Sequence, residues 1–295
     1  MNNANSELSP NFFIVGAPKA GTTSLYHYLE AHPQIFMSTV KEPNYFSYQS
    51  SLNQKLYYKE RGINNLEEYI ALFEKAGNKK AIGEASVSYL FYPEAAINLK
   101  NTFPKSRIII MLRNPVERAI SHYNMDYKLG YVDLTFENVI QKKNDSNLNK
   151  LYYQQFIELG LYYNQVKRFI ELFGRENVLI IFFEDFKNDA PHEVKRIFEF
   201  LDVDSDFQTD TSAKYNTFKT PRNSLIRSIY RIKFLRLVLK KLFPQFISDL
   251  IKSIILTKNK KQLPGETTLK FLKQLYYPDI KQLEKLLNRD LNTWQ

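Results

Sequence analysis

Residues 13–29 read FIVGAPKAGTTSLYHYL, and the nine residues 16–24 hold a lysine (Lys19), two glycines (Gly16, Gly21) and three hydroxyls (Thr22, Thr23, Ser24). In a strand–loop–helix, loop N–H groups and the helix N-terminus converge on one anion. Glycines allow close backbone approach there, and hydroxyls in the first helical turn add donors. The plain alternative is a strand-to-helix turn with a threonine cap, which explains neither the lysine nor the paired glycines. The spacing departs from a nucleoside triphosphate loop, in which Gly-Lys-Ser/Thr follows the first glycine by four residues. Here Thr22 stands where that lysine belongs, and the cation, Lys19, sits inside the loop.

A second constellation is LRNPVERAISHY (112–123), in which Arg113 ends an apolar run, Pro115 starts a helix, and Ser121 follows in its second turn. Guanidinium and hydroxyl placed this way can share a phosphate, the arginine giving bidentate geometry. Read alone, they are also a strand-end ion pair and a solvated serine. A magnesium-dependent phosphoryl transferase of this type needs an acidic residue to hold the metal. This run ends instead on Arg113-Asn114. Both departures point to a polyanion held by lysine and arginine without magnesium.

These residues need a parallel sheet to position them. Apolar runs at 11–16, 80–84, 106–112 and 177–183 read as buried strands. Helical patterns lie between and after them, at 22–31, 65–76, 93–102, 115–129, 161–173, 189–201, 224–257 and 266 to about 289. Strands alternating with helices predict an α/β fold, a three-layer arrangement with a central parallel sheet flanked by helices. Residues 1–10 read as a disordered lead-in and 11–295 as one domain, with a basic helical insert at about 222–261.

Composition narrows the setting. The chain has 295 residues, no cysteine and four histidines, which excludes disulfides and thiolate metal sites, and no pair of histidines has helical metal-ligand spacing. A reducing cytoplasm fits. The net charge is +10, and residues 222–261 carry eleven Lys or Arg against Asp249 alone, so the excess is local. A local basic and apolar segment suggests an anionic membrane surface, an anionic substrate or a cover over a polyanion, and argues against general nucleic-acid binding.

GAPKAGTTSLYHYLEAHPQI resembles the 5′-phosphosulfate loop of sulfotransferases that use 3′-phosphoadenosine 5′-phosphosulfate (PAPS), and IIMLRNPVERAISHY resembles their 3′-phosphate motif. The similarity is to the broad family of bacterial enzymes related to heparan sulfate sulfotransferases. It runs over roughly 11–294, including the ending YYPDIKQLEKLLNRDLNTW. The resemblance implies a P-loop-type fold, a PAPS donor leaving as adenosine 3′,5′-bisphosphate, no metal, and a carbohydrate or glycolipid acceptor carrying a hydroxyl or, in second place, an amine. It implies that Lys19 contacts the 5′-phosphate and the transferring group, that Ala20, Gly21, Thr22, Thr23 and Ser24 form the loop, and that Arg113 and Ser121 bind the 3′-phosphate. KEPNYFS (41–47) resembles the segment carrying the catalytic glutamate, making Glu42 the candidate base. Where parts of that subgroup carry a lysine this chain has Ala85, which implies that one cationic contact to the sulfuryl group is missing or is supplied elsewhere, with Lys41 the candidate. TKNKKQLPGE (257–266) matches a basic loop over the donor, with Lys260 and Lys261 as its binders.

Competing assignments stay open beside these. Glu42 is either the base or a surface carboxylate paired with Lys41. His27, His32, His122 and His192 are competitors for the base; His27 and His32 read as packing or capping residues, His122 as facing away from Ser121, and His192 as lying in a distant helix. Glu84 and Ser86 contact acceptor or satisfy each other; Tyr152, Tyr153 and Tyr162 read as core. Segment 222–261 either packs on the fold or lies peripherally on the inner face of a membrane. A P-loop nucleotide kinase and a non-catalytic nucleotide-binding protein are the alternatives for function.

Overall fold

The computed structural model describes residues 9–58, 62–212, 220–221, 256–257 and 263–295. Five strands, β1 (Phe12–Gly16), β2 (Ile35–Met37), β3 (Ala81–Ala85), β4 (Arg107–Leu112) and β5 (Val178–Phe182), form one sheet in the order β2-β3-β1-β4-β5. Every pairing is parallel. β1, β3 and nearly all of β4 are buried, as continuous apolar strands covered on both faces must be.

The chain runs from β1 to β2 through α1 (Thr22–Glu30), and from β3 to β4 through α4 (Pro93–Thr102). Between β2 and β3 lie the short helices α2 (Tyr48–Asn53) and α3 (Leu66–Ala71). From β4 to β5 it passes α5 (Pro115–Leu129), α6 (Phe136–Gln141), α7 (Asn147–Phe156) and α8 (Tyr163–Phe173). The first crossover goes one way along the sheet and the others go the opposite way. Right-handed connections therefore put α1 on one face and α4 with α8 on the other. After β5 come α9 (Phe183–Asn188) and α10 (Ala190–Phe200), the latter packed on α1, and α11 (Glu266–Leu287) packs on α5 and α8.

The connections after β1 and after β4 leave neighbouring strands for opposite faces. A crevice opens between their carboxyl ends, the place where open α/β sheets bind ligands. The loop 17–21 and the Arg113–Asn114 turn border it. Gly16 has to be glycine because a Cβ there would lie 2.6 Å from Leu90 Cβ. Gly21 sits at φ +95°, a left-handed conformation that only glycine adopts without strain. Asn114 caps α5, its side chain accepting from the N–H groups of Val116 and Glu117, and Pro115 occupies the first turn.

The four expected strands are present, and β2 is an added short edge strand. The pattern at 65–76 divides into α3 and a single 3₁₀ turn, Glu74–Ala76. The expected helices at 224–257, the basic insert at 222–261 with its membrane reading, and Lys260 and Lys261 lie outside the described residues, apart from Leu256–Thr257. Those two pair antiparallel with Thr220–Pro221. Among the described residues no helix is long and apolar enough to cross a membrane.

Candidate active site

One cavity of about 1140 Å³ is lined by Lys19, Gly21, Thr22, Thr23, Ser24, Lys41, Glu42, Arg113 and Ser121. The sequence-derived donor loop, the arginine–serine pair and the candidate base thus meet in one place. Ala20, within the same loop, is fully buried and does not line the cavity.

α1 begins at Gly21 with no side-chain capping bond. Ser24 N–H donates to the Gly21 carbonyl at 3.0 Å, while the N–H groups ahead of it lie at the positive end of the helix dipole and favour an anion. Lys19 holds φ +69°, and its Nζ rests 3.3 Å from Met125 Sδ, a weak acceptor. Burial pulls the Lys19 ammonium below its ordinary value, opposed by the charge of Asp126 and reinforced by that of Arg113.

Arg113 is fixed from several sides. Its guanidinium stacks over the Phe183 ring at 4.5 Å, Nη1 donates to the Lys19 carbonyl at 3.3 Å, and Nη2 pairs with Glu117 at 2.8 Å. Tyr162 Oη donates to the Arg113 carbonyl at 3.0 Å. Among the described residues Arg113 Nε is buried without a partner. A cation tied down this way, with a donor still unused, is prepared for an anion.

Glu42 belongs to a strained loop: Glu42 and Asn44 have φ of +61° and +51°. The end of β3 holds that loop in place. Glu42 N–H donates to the Ala85 carbonyl at 3.0 Å, and Asn44 N–H donates to Ser86 Oγ at 3.0 Å. Ser86 in turn donates to Glu84 at 2.6 Å, and Tyr69 and Tyr89 donate to the same carboxyl at 3.0 and 2.8 Å. Glu84 is completely buried; burial pushes it up to about 7 against those three hydroxyls. Glu84 and Ser86 therefore satisfy each other and anchor the loop that carries Glu42. Lys41 Nζ lies 2.5 Å from Glu42 Oε1, so the expected ion pair exists, and both partners line the cavity.

Glu84→Gln places an amide among three hydroxyl donors, and one of those contacts must break. The expected cost is about 1–3 kcal/mol of stability, with lower turnover at unchanged nucleotide affinity, read by thermal unfolding and calorimetry.

The histidines separate clearly. His27 pairs with Glu30 at 3.1 Å on the surface, His192 lies beside Glu193 at 3.3 Å, and His32 packs on Phe198 and Phe207 while bonding the Asp204 carbonyl. His122 differs from expectation: it lines the same cavity as Ser121. Adjacent helical residues project about 100° apart, but this cavity wraps far enough around α5 to meet both. Burial, with Arg118 and Lys19 nearby, holds the His122 imidazole well below its usual range, hence neutral, against a backbone bond to Gln155 that favours the charged form. Tyr152, Tyr153 and Tyr162 are buried, as core residues should be.

Sequence reasoning passed over Phe183, which stacks on Arg113, and the Tyr57–Tyr58 pair, which meets α5 across the cavity. No local pattern marks either: Phe183 ends an apolar run like any other, and Tyr57–Tyr58 lie in a segment without periodicity.

Comparison with known proteins agrees with this architecture. The model of the sulfotransferase domain family matches residues 9–233. A crystal structure of a sulfotransferase from Alicyclobacillus acidocaldarius aligns with TM-score 0.70 and 32% identity, covering 97% of this chain and 98% of that one. Carbohydrate sulfotransferase 15 of Mus musculus is 26% identical over 248 residues, 66% of this chain and 44% of that protein. The membrane-associated sulfotransferase kil1 of Dictyostelium discoideum is 35% identical over 145 residues, 46% of this chain and 28% of that protein. The chain thus spans less than half the length of these two curated relatives. With the family model matching most of its length, the chain belongs to the sulfotransferase family and has its P-loop-type three-layer fold.

Proposed function

We propose that this protein transfers the sulfuryl group of PAPS to a hydroxyl of a carbohydrate acceptor, free or lipid-linked, with Glu42 as base. The observation that carries the reading is the convergence of Lys19, the α1 N-terminus, Arg113, Ser121 and Glu42 on one cavity. The residues fit the donor chemically. The uncapped helix start, the ammonium resting on a thioether and the unused guanidinium N–H all suit a polyanion. A carbohydrate acceptor is supported by the names of relatives such as carbohydrate sulfotransferase 15 and the mouse heparan sulfate glucosamine 3-O-sulfotransferase 3B1, the latter 25% identical over 67% of this chain.

In this mechanism Lys41 occupies Glu42 Oε1, leaving Oε2 to accept the acceptor's hydroxyl proton. The acceptor oxygen forms a bond to sulfur as the bond from sulfur to the 5′-phosphate oxygen breaks, and adenosine 3′,5′-bisphosphate leaves. Lys19 and the α1 N–H groups stabilise charge on the departing phosphate, while Arg113 and Ser121 hold the 3′-phosphate in register. Positioning and electrostatic stabilisation dominate, as in phosphoryl transfer.

Calorimetry with adenosine 3′,5′-bisphosphate in the absence of magnesium tests the donor site. The bisphosphate is expected to bind about 100-fold more tightly than AMP, the effect of two charge-assisted contacts to the 3′-phosphate. A preference for Mg-ATP, or equal affinity for AMP, overturns the assignment.

A further inference from the structure

Behind Tyr58, His122 and Met125, which line the cavity, lies a buried carboxyl that the proposed chemistry does not use. Asp126 is fully buried on α5. Its Oδ2 accepts from Tyr57 Oη and Tyr58 Oη, each at 2.6 Å. Tyr58 Oη also lies 2.8 Å from His122 Nε2, and that nitrogen is 4.0 Å from Asp126 Oδ2. Among the described residues Asp126 Oδ1 has no partner. The next residue toward the N-terminus, Met125, carries the sulfur on which Lys19 Nζ rests.

The surrounding charges leave Asp126 a narrow choice. Tyr57 and Tyr58 come from the segment after α2, His122 from its own helix and Lys19 from the donor loop. Arg118 adjoins His122; Arg113, Glu42 and Lys128 act on Lys19; Tyr131 and Tyr152 pack on the Tyr57 ring. Burial keeps the tyrosines neutral and His122 uncharged. Asp126 is thus the buried group whose ionisation can follow the charge beside Lys19. One ammonium in a low-dielectric site balances one anion well and two poorly.

We propose that Asp126 is a proton-linked positioning residue for Lys19: ionised while it balances the ammonium of the free enzyme, and protonated when the donor's phosphate takes over that balance. Donor binding then consumes a proton. Burial pushes the Asp126 carboxyl up to about 7 in the free protein, opposed by the Tyr57 and Tyr58 hydroxyls and the Lys19 charge, so the proton is available near neutral pH. The sign follows from linkage. Below the free-state value both states carry the proton and affinity does not respond to pH through this group. Above it, the free state is ionised and binding must take the proton up, so affinity falls as pH rises. The inference rests on the donor-site reading above.

The test is calorimetry of adenosine 3′,5′-bisphosphate from pH 6 to 8.5, in buffers of small and large ionisation enthalpy. The wild-type protein is expected to take up about one proton per nucleotide at pH 8, with affinity falling about tenfold per pH unit above 7. Asp126→Asn is isosteric and is expected to bind about tenfold more tightly than wild type at pH 8, equally at pH 6, and with the uptake lost. A Tyr57→Phe, Tyr58→Phe double variant removes the hydroxyls that hold the carboxyl down, so the free protein already carries the proton. Its uptake at pH 7.5 is expected to vanish too, with residue 126 untouched, and this arm carries the test if the Asn variant does not fold. Tight binding without proton uptake, or uptake that persists in both variants, overturns the role of Asp126 while leaving the donor site intact. Failure to bind the bisphosphate at any pH overturns the donor site, and the inference with it.

Discussion

Lys19→Ala is expected to lower kcat by about 100- to 1,000-fold, the scale seen when one preorganised donor to developing charge is removed. The side chain is singled out by where it is held. The loop fixes Lys19 at φ +69°, and its carbonyl is tied to Arg113 Nη1, so the backbone that aims the ammonium is itself locked to the second phosphate-binding element. Met125 Sδ is a resting contact that an anionic oxygen displaces easily. The product lacks the transferring group, so its binding should depend on Lys19 less than the transition state does. Bisphosphate affinity is expected to fall only about tenfold, one charge-assisted hydrogen bond. Single-turnover kinetics beside calorimetry separates the two effects. Equal losses in turnover and product binding would make Lys19 an anchor and leave the leaving-group role without support.

The sequence made this half of the site legible because its signals are local. Gly16, Gly21 and the hydroxyls after them encode a strand, a close turn and a helix start within one stretch, and Asn114-Pro115 marks the start of α5 in the same way. Other parts of the site have no local signature. β2 is a three-residue edge strand, too short for periodicity to register. Ala85 reads as a missing cation, yet its contribution here is a carbonyl that accepts the Glu42 N–H, and backbone acceptors leave no trace in residue type. Glu84 and Asp126 each look like ordinary acids until the fold surrounds them with tyrosines contributed from elsewhere in the chain. Charge state set by tertiary burial is invisible to spacing: Glu84 is legible beside Ser86 as a strand-end acid but not as a carboxyl pushed up by burial, and Asp126 emerges only in three dimensions.

The comparable effect on the acceptor side falls on Glu42. Glu42→Gln keeps the shape and volume of the side chain and removes the oxygen able to take a proton. Turnover is expected to drop about 100- to 10,000-fold, the usual contribution of a well-placed base. The loop should survive the change, because its strained backbone is held by the Ala85 carbonyl and Ser86 Oγ, neither of which touches the Glu42 side chain. Bisphosphate affinity is therefore expected to match wild type, with the loss confined to kcat. Lys41→Ala offers the contrast: it frees Glu42 Oε1 from its ion pair but leaves both oxygens able to accept, so its effect should be much the smaller. If Glu42→Gln retained turnover while Lys41→Ala lost it, the ion pair would have been read the wrong way round. Lys41 would then be the working partner, a cation on the transferring sulfuryl group, and Glu42 the residue that aims it.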